Sequence, residues 1–282
     1  MQNSSQDSFE SLSPGSEEKK GDSLTPEQAI ANLQGADLGL RFYAAWWLGR
    51  FRVRDAVAVD ALIIALEDEA DRTPEGGYPL RRNAARALGK LGDRRAVGAL
   101  IQCLECSDFY VREAAAQSLG MLEDGSAIGE LNKLLLNGLL AGELVPQQPD
   151  SSQPYDAILE ALGSLRATES IALVKPFLQH PIPRVQYAAA RAMYQLTQEA
   201  VYGETLVQAL EGDDLQLRRA ALADLGAIGY LPAAEAIANT LAENSLKLIS
   251  LKGLLEYQVS QTALPELSSG ALKVMNLMDE LL

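Results

Sequence analysis

The sequence predicts an all-α fold, a solenoid built from about six stacked copies of a two-helix unit. Two observations lead to this prediction. A segment rich in alanine and leucine recurs along the chain with a basic period of about 31 residues, and self-similarity at such a period is typical of repeat architectures. Within each copy the apolar residues return every three or four positions, which is the pattern of a helix that is buried along one face.

The repeat is clearest in three segments, which read RFYAAWWLGRFRVRDAV from Arg41, RRNAARALGKLGDRRAV from Arg81 and REAAAQSLGMLEDGSAI from Arg112. It returns more weakly from Tyr155, Gln186 and Arg218. One shared position, which we call the anchor, is held by Gly49, Gly89, Gly120, Gly163, Tyr194 and Gly226. The anchors are separated by 40, 31, 43, 31 and 32 residues. The two long intervals indicate two insertions into a 31-residue unit.

The unit that begins at Arg81 shows why such copies must stack. Its first helix has small and branched apolar side chains along one face, namely Ala84, Ala85, Leu88 and Leu91. Gly89 and Gly92 allow close approach or end the helix, and Asp93 is placed to cap a second helix over residues 94–105. One hairpin cannot bury its own apolar face, so neighbouring hairpins must cover it.

The domain organisation follows from the same pattern. Residues 1–24 are polar and acidic with little to bury, and we expect them to be a disordered tail. A single solenoid domain is predicted over 25–282, starting at Thr25 and Pro26 and ending in a less regular capping segment from about residue 245. The insertions, at about 69–79 and 137–154, are predicted as loops on the same rim.

Composition excludes several classes of function. The chain carries a formal net charge of -14, which disfavours nucleic acid and anionic membrane as partners. Two cysteines, Cys103 and Cys106, make no disulfide framework, and no segment is apolar and long enough to span a membrane. The polar N-terminus does not resemble a signal peptide, so a cytoplasmic location is expected.

The repeats differ from one another on one helix face. Two variable positions lie four residues apart in each arginine-containing helix and therefore share a face. These pairs are Phe42 and Trp46, Arg82 and Arg86, Glu113 and Gln117, Asp156 and Glu160, Tyr187 and Arg191, and Arg219 and Ala223. We call this series the stripe, and we expect it to line the concave side of the solenoid as a ligand-binding surface. The alternative is a solvated face with salt bridges between repeats.

The sequence lacks the residue combinations that common catalytic sites require. His180 is the only histidine, so neither a histidine-based triad nor a histidine zinc site can be built. The Cys103-x-x-Cys106 pair lies inside a predicted helix without a second pair of ligands, and the chain has no glycine-rich phosphate loop. The sequence thus predicts a binding scaffold without metal and without a nucleophile of its own.

The segments YAAWWLG, RRNAARALGKLGD and PYDAILEALG, together with the two insertions, resemble the E subunits of the E/F-type phycobilin lyases. The resemblance implies a right-handed α–α superhelix of HEAT-like repeats. It also implies an enzyme, a phycocyanobilin lyase that works as a heterodimer with an F-type subunit. Such a lyase attaches phycocyanobilin to a cysteine of the phycocyanin alpha subunit. The bilin is then a bound substrate, and no cofactor is expected.

The resemblance gives the stripe a specific reading. The two propionates of the bilin are expected to bind to arginines, with Arg82, Arg86 and Arg191 as candidates. Its pyrrole nitrogens suit a carboxylate, and Asp156 and Glu160 are the candidates for this catalytic role, which includes protonating the bilin.

Aromatic residues near the stripe are candidates for packing on the bilin rings. They are Tyr43, Trp46, Tyr155 and Tyr187. Trp46 and Trp47 are adjacent and must point in different directions, so at most one fits the core. A second reading stays open, in which the chain is a non-catalytic scaffold or chaperone for phycobiliproteins, or a factor in phycobilisome turnover.

Overall fold

The computed structural model describes residues 24–141, 153–261 and 267–282. All regular structure in these ranges is helical, as predicted. The α-helices are α1 Pro26–Leu33, α2 Leu38–Arg50, α3 Ala56–Ala65, α4 Pro79–Leu91, α5 Val97–Cys103, α6 Phe109–Leu122, α7 Ile128–Ala141, α8 Tyr155–Ser164, α9 Ile171–Val174, α10 Pro183–Thr197, α11 Ala200–Ala209, α12 Leu215–Ile228, α13 Ala234–Asn239, α14 Asn244–Gln261 and α15 Ser269–Asp279. The predicted tail, except its last residue, lies outside the described residues, as does 142–152 of the second insertion.

The helices form two layers. The even-numbered helices from α2 to α14 stack side by side in one layer, each packed along the next. The odd-numbered helices form a second layer whose successive members touch one another far less. We call the even-numbered set, whose members pack closely along one another, the inner layer. The stripe lies on this layer.

In the first half of the solenoid the pairing of the helices differs from the sequence expectation, whereas α10 packs on α11, which follows it, as expected. The sequence paired each arginine-containing helix with the helix that follows it. In the structure α4 instead packs on α3, which precedes it, and α6 packs on α5. The reason is that the short link at Asp93, followed by a 3₁₀ turn at Arg94–Ala96, leads directly to the next repeat. The insertions therefore join the two helices of one pair. The second insertion also begins later than expected, because α7 continues to Ala141.

The anchor glycines allow the inner helices to approach closely. A Cβ atom on Gly89 would lie 2.9 Å from the Cα of Ser118, and one on Gly49 would lie 2.8 Å from the Cα of Ala87. No real side chain tolerates such contacts, so glycine is required where these backbones meet. Gly92 has a φ of 78° and ends α4 in the left-handed conformation, as expected of a helix C-terminus. The Thr25 hydroxyl accepts from the Gln28 amide and caps α1, and the capping role expected of Asp93 is confirmed.

One seam of the inner layer departs from this rule. Between α10 and α12 the anchor is Tyr194, and the small residue that faces an anchor elsewhere is replaced by Asp224. Here the helices are less closely packed than at the other seams, and the apolar core divides into two clusters. The Tyr194 ring packs edge-on against Tyr230 at 5.2 Å. The seam therefore has room for polar side chains that the glycine seams exclude.

The carboxyl end continues the stack. The sequence predicts a less regular capping segment from about residue 245. In the structure α14 instead stacks on α12 as a further inner helix. Ser250 faces Gly226 as Ser118 faces Gly89, and its hydroxyl donates to the Leu222 carbonyl at 2.6 Å. The described residues therefore contain one inner helix more than the six that the sequence predicted.

Candidate functional site

The stripe is open to solvent along the inner layer. All its described side chains are exposed or half-buried, while the alanines between them are buried. Its middle is strongly charged and its amino-terminal end is aromatic. The structure therefore places the predicted pairs on one continuous surface, with aromatic side chains at its amino-terminal end and charged side chains in its middle.

The centre of the stripe is a five-residue ionic cluster on α8, α10 and α12, which we call the acid–arginine cluster. It consists of Asp156, Glu160, Arg184, Arg191 and Asp224. Arg184 pairs with Glu160, with Asp224 at 2.7 Å and with Asp156 at 3.7 Å. Arg191 pairs with Glu160 at 3.2 Å and with Asp224 at 3.1 Å. Three acids thus share two arginines, which leaves the cluster one negative charge.

Sequence reasoning missed two members of this cluster. Arg184 lies in the first turn of α10, outside the variable columns. Asp224 occupies a position that is buried in every repeat except the first, where Trp47 is half-buried. Asp224 is 1% exposed, and both of its oxygens accept from arginines. The signal was present in the sequence, because an acid stood where the other repeats have a small residue or tryptophan, opposite the one anchor that is not glycine.

The cluster holds a carboxyl with a perturbed pKa. Burial raises the pKa of Glu160; Arg191 and Arg184 oppose the rise, while Asp224 and Asp156 add to it. Burial likewise raises the pKa of Glu113 on α6, and the nearby Asp156 adds to that rise. A raised pKa makes the protonated form of a carboxyl easier to reach, as a general acid requires. For Glu160, one of the two predicted catalytic acids, burial therefore favours the role of proton donor.

The arginines of α4 differ in their surroundings. Arg86 is exposed and lies 3.5 Å from the Glu113 carboxylate. Arg82 is half-buried; its guanidinium lies over the Tyr110 ring at 5.7 Å, and its Nε is buried without a hydrogen-bond partner. Arg191, the third predicted arginine, is committed to the acid–arginine cluster. The three arginines are thus not equivalent as anion receptors.

Exposed aromatic rings form the amino-terminal end of the stripe. Tyr43 is 47% exposed and Trp46 is 44% exposed, and their ring centroids lie 5.5 Å apart. Phe42 beside them is also exposed. Trp47 points away and packs against Phe51 at 4.7 Å. As predicted, the two tryptophans point in different directions, and a planar ligand has an aromatic platform at this end.

The two remaining predicted tyrosines are placed differently. Tyr187 is half-buried and packs against the second apolar cluster beside the stripe. Tyr155 is 4% exposed, with its ring 5.1 Å from Phe177 and 5.8 Å from His180. It lies beneath α8, on the side facing the outer layer, so the expectation that it packs on a ligand is wrong. The position that precedes Asp156 points into the core by helix geometry.

Two of the potential nucleophiles, Cys103 and His180, are unsuited to attack. Cys103 is buried, and burial, with a contribution from Cys106, raises the pKa of its thiol to about 12. His180 is fully buried, its Nδ1 accepts from the Ile182 amide at 3.1 Å, and burial lowers its pKa. Within the described ranges no group of three or more metal-ligating side chains is arranged to hold a metal ion, and no helix is long and apolar enough to cross a membrane.

Comparison with known proteins agrees with the architecture. A family model for HEAT repeats matches residues 26–120, 75–138 and 148–226. A Phycocyanobilin lyase subunit alpha from Nostoc sp. is 65% identical over 265 residues, which are 94% of this chain and 96% of that protein. A protein of the same name from Microchaete diplosiphon is 71% identical, over 92% of this chain and 90% of its own length. Bilin biosynthesis protein PecE from Nostoc sp. is 44% identical over 85% of this chain and 90% of that protein.

A solved structure extends the comparison to three dimensions. It is that of the complex of CpcE and CpcF of phycocyanin lyase from Nostoc sp. PCC7120, and one of its chains is 64% identical to this chain with a TM-score of 0.85. The match covers 98% of this chain and 100% of that chain. Similarity at this level over the full length preserves both fold and family. The chain therefore belongs to the alpha subunits of phycocyanobilin lyase, a family of HEAT-repeat proteins.

Proposed function

We propose that this chain, with an F-type subunit, binds phycocyanobilin and attaches it to a cysteine of the phycocyanin alpha subunit. The observation that carries the proposal is the full-length similarity to a chain of the CpcE–CpcF complex. The open stripe with its acid–arginine cluster supports it, because it supplies a solvent-accessible surface for an elongated, charged, planar ligand. We place the reaction in the cytoplasm, where thiols stay reduced.

The reaction needs no nucleophile and no cofactor from this chain. The thiol of the acceptor protein adds across an exocyclic double bond of the bilin, which forms one C–S bond and one C–H bond and releases nothing. The step is redox-neutral. The high pKa of the Cys103 thiol keeps it protonated, so it does not compete with the acceptor cysteine.

The chain contributes position and a proton. The bilin lies along the stripe with its nitrogens towards Glu160 and one end directed towards the aromatic platform of Trp46 and Tyr43. A protonated Glu160 donates to a pyrrole nitrogen and makes the conjugated system more electrophilic. Arg184 and Arg191 hold the Glu160 carboxyl in place. Fixing the bilin relative to one thiol is itself a large catalytic term.

Co-expression tests the proposal. The components are this chain, an F-type subunit, the apo phycocyanin alpha subunit and a source of phycocyanobilin. The readout is covalent pigment on the denatured acceptor, seen by fluorescence in a gel, and its absorption spectrum when folded. Adduct above the level without this chain supports the lyase. Adduct at that background level refutes it and favours the scaffold reading.

A pair of matched variants tests the role of Glu160. Glu160→Gln keeps the size of the side chain and removes the titrating proton, so we expect adduct yield to fall about 10²-fold or more, the usual range for a lost general acid. Asp60→Asn makes the same change of charge on α3, where Asp60 is exposed and pairs with Arg95 at 2.7 Å. Its yield should equal that of the wild type. Equal yields from both variants would exclude Glu160 from the site.

A further inference from the structure

We infer that the groove beside the first insertion binds a carboxylate of the bilin, and that Arg82 and Arg72 are its receptors. The groove has a volume of about 560 Å³ and lies between the loop at 72–79 and the start of α6. This inference rests on the proposed function. It adds a role in ligand binding for Arg72 and the first insertion, which are not part of the stripe.

Most arginines of the inner face already have carboxylate partners. Arg184 and Arg191 belong to the acid–arginine cluster, Arg86 lies beside Glu113, and Arg219 pairs with Glu243. A propionate that binds to any of them must share the guanidinium with a protein carboxylate. The repulsion between the two negative charges then offsets part of the free energy gained from the new ion pair.

Among the described residues, neither Arg82 nor Arg72 forms an ion pair with a carboxylate, although Arg82 is close enough to Glu113 to lower the pKa of that carboxyl. The Nε of Arg82 is buried without a hydrogen-bond partner, and a buried donor without an acceptor is costly. The Arg72 guanidinium lies over the Tyr78 ring at 5.4 Å, as that of Arg82 lies over Tyr110. Stacking on a ring leaves the edge of a guanidinium free to donate to a carboxylate.

The acidic residues of the groove do not fill this role. Asp108 accepts from the amides of Tyr78 and Tyr110 at 2.7 and 2.8 Å, so its two oxygens are engaged by the backbone. Glu75 lines the groove on the exposed loop and pairs with neither arginine. The groove has no net positive charge, so what favours a carboxylate here is two guanidinium groups that have no ion pair of their own.

The position of the groove suits an extended ligand. Arg82 belongs to the stripe and Tyr110 is exposed beside it, so a ring that carries the carboxylate can pack on Tyr110. The groove and Glu160 lie on α4 and α8, which α6 separates. At roughly 8–10 Å per interhelical spacing, an extended ligand is required to contact both. The first insertion thereby selects for a bilin with a free acid at one place along its length.

Binding of two ligands to the heterodimer tests the inference. The probes are phycocyanobilin and its dimethyl ester, which has the same ring system without acid groups, titrated by absorbance. For the wild type we expect the acid to bind at least about tenfold more tightly, which corresponds to one charge-assisted hydrogen bond. Arg82→Gln should lose most of this preference and bind the ester with the affinity of the wild type. Arg72→Gln, on an exposed loop where folding is not at risk, should reduce the preference.

The outcomes separate the two proposals. If the wild-type heterodimer binds neither ligand, the proposed function fails. If it binds the acid in preference and Arg82→Gln keeps the same preference, this inference alone is overturned. Arg86→Gln is the discriminating variant, because Arg86 faces the same surface but already lies beside Glu113. The inference requires that its acid preference remain; loss of the preference there and not in Arg82→Gln assigns the carboxylate to Arg86.

Discussion

Asp224→Ala gives α12 the residue that Ala87, Ala161 and Ala192 provide in other repeats. Two effects oppose each other in this variant. The alanine removes a charge that is 1% exposed, and alanine favours helix over aspartate by about 0.5 kcal/mol. Against this, Arg184 and Arg191 each lose a charge-assisted hydrogen bond, at 2.7 and 3.1 Å.

The loss of hydrogen bonds outweighs the gain. Each bond to a charged group is worth about 1.5–3 kcal/mol, or about 3–6 kcal/mol for both. The remaining cluster is electrically neutral, Glu160 still accepts from both arginines, and its repulsion from Asp224 is gone. The relief of this repulsion and the higher helix propensity of alanine together offset about half of the free energy lost with the two hydrogen bonds. We expect Asp224→Ala to lower the free energy of unfolding by about 2 kcal/mol.

Urea unfolding followed by far-ultraviolet circular dichroism measures this change. Asp60→Ala, which breaks the exposed pair with Arg95, is the control and should have little effect, because exposed ion pairs are screened. In a double-mutant cycle the Arg191→Ala and Asp224→Ala changes should couple by more than about 1 kcal/mol, since the two residues touch. A variant as stable as the wild type would refute the claim that Asp224 holds the cluster together.

The same variant carries a functional signature. Asp224 adds to the raised pKa of Glu160, so its removal should lower that pKa and move the alkaline limit of adduct formation to lower pH. A change in yield without a change in the pH profile would assign Asp224 a structural role only.

Further predictions concern the core and the thiols. Thermal unfolding measured from pH 8 to pH 5 should show that the protein becomes less stable once the pH drops below about 6.5. The reason is that His180 in the unfolded chain takes up a proton near that pH, whereas burial lowers its pKa in the folded protein. In His180→Asn the dependence of stability on pH should be smaller. Gly89→Ala places a methyl group against α6 and should destabilise by about 1–3 kcal/mol in urea, whereas Gly98→Ala, with open space around it, should not. Mass spectrometry after brief alkylation at pH 7 should find the label on Cys106 before Cys103, whose thiol has a pKa of about 12.

Much of the fold was predictable because it depends on patterns of residues close together in the sequence. The alanine and leucine faces and the anchor glycines at Gly49, Gly89 and Gly120 specify helices that must approach closely, and stacking follows from each hairpin's inability to bury its own face. The variable stripe was predictable for a related reason, since spacing of four residues fixes which side chains share a face.

Local sequence patterns did not predict which helices pair or which residues make up the charged site. The sequence cannot show whether a helix packs on its predecessor or its successor, because either choice buries the same apolar face. Likewise, that Glu160 and Asp224 share Arg184 and Arg191, and that Asp156 joins them through Arg184, depends on side chains from three adjacent inner helices.

By itself, the sequence determined that this protein is a solenoid with an open, charged and aromatic inner face, since periodicity fixes helices and helices fix faces. Only the tertiary structure decided which charges neutralise one another and which remain available to a ligand. It committed Arg191 to the acid–arginine cluster, placed Tyr155 in the core and left Arg82 without a carboxylate. The physical reason is that ion pairing and burial are set by distances between residues far apart in the chain, which the spacing within any one helix does not record.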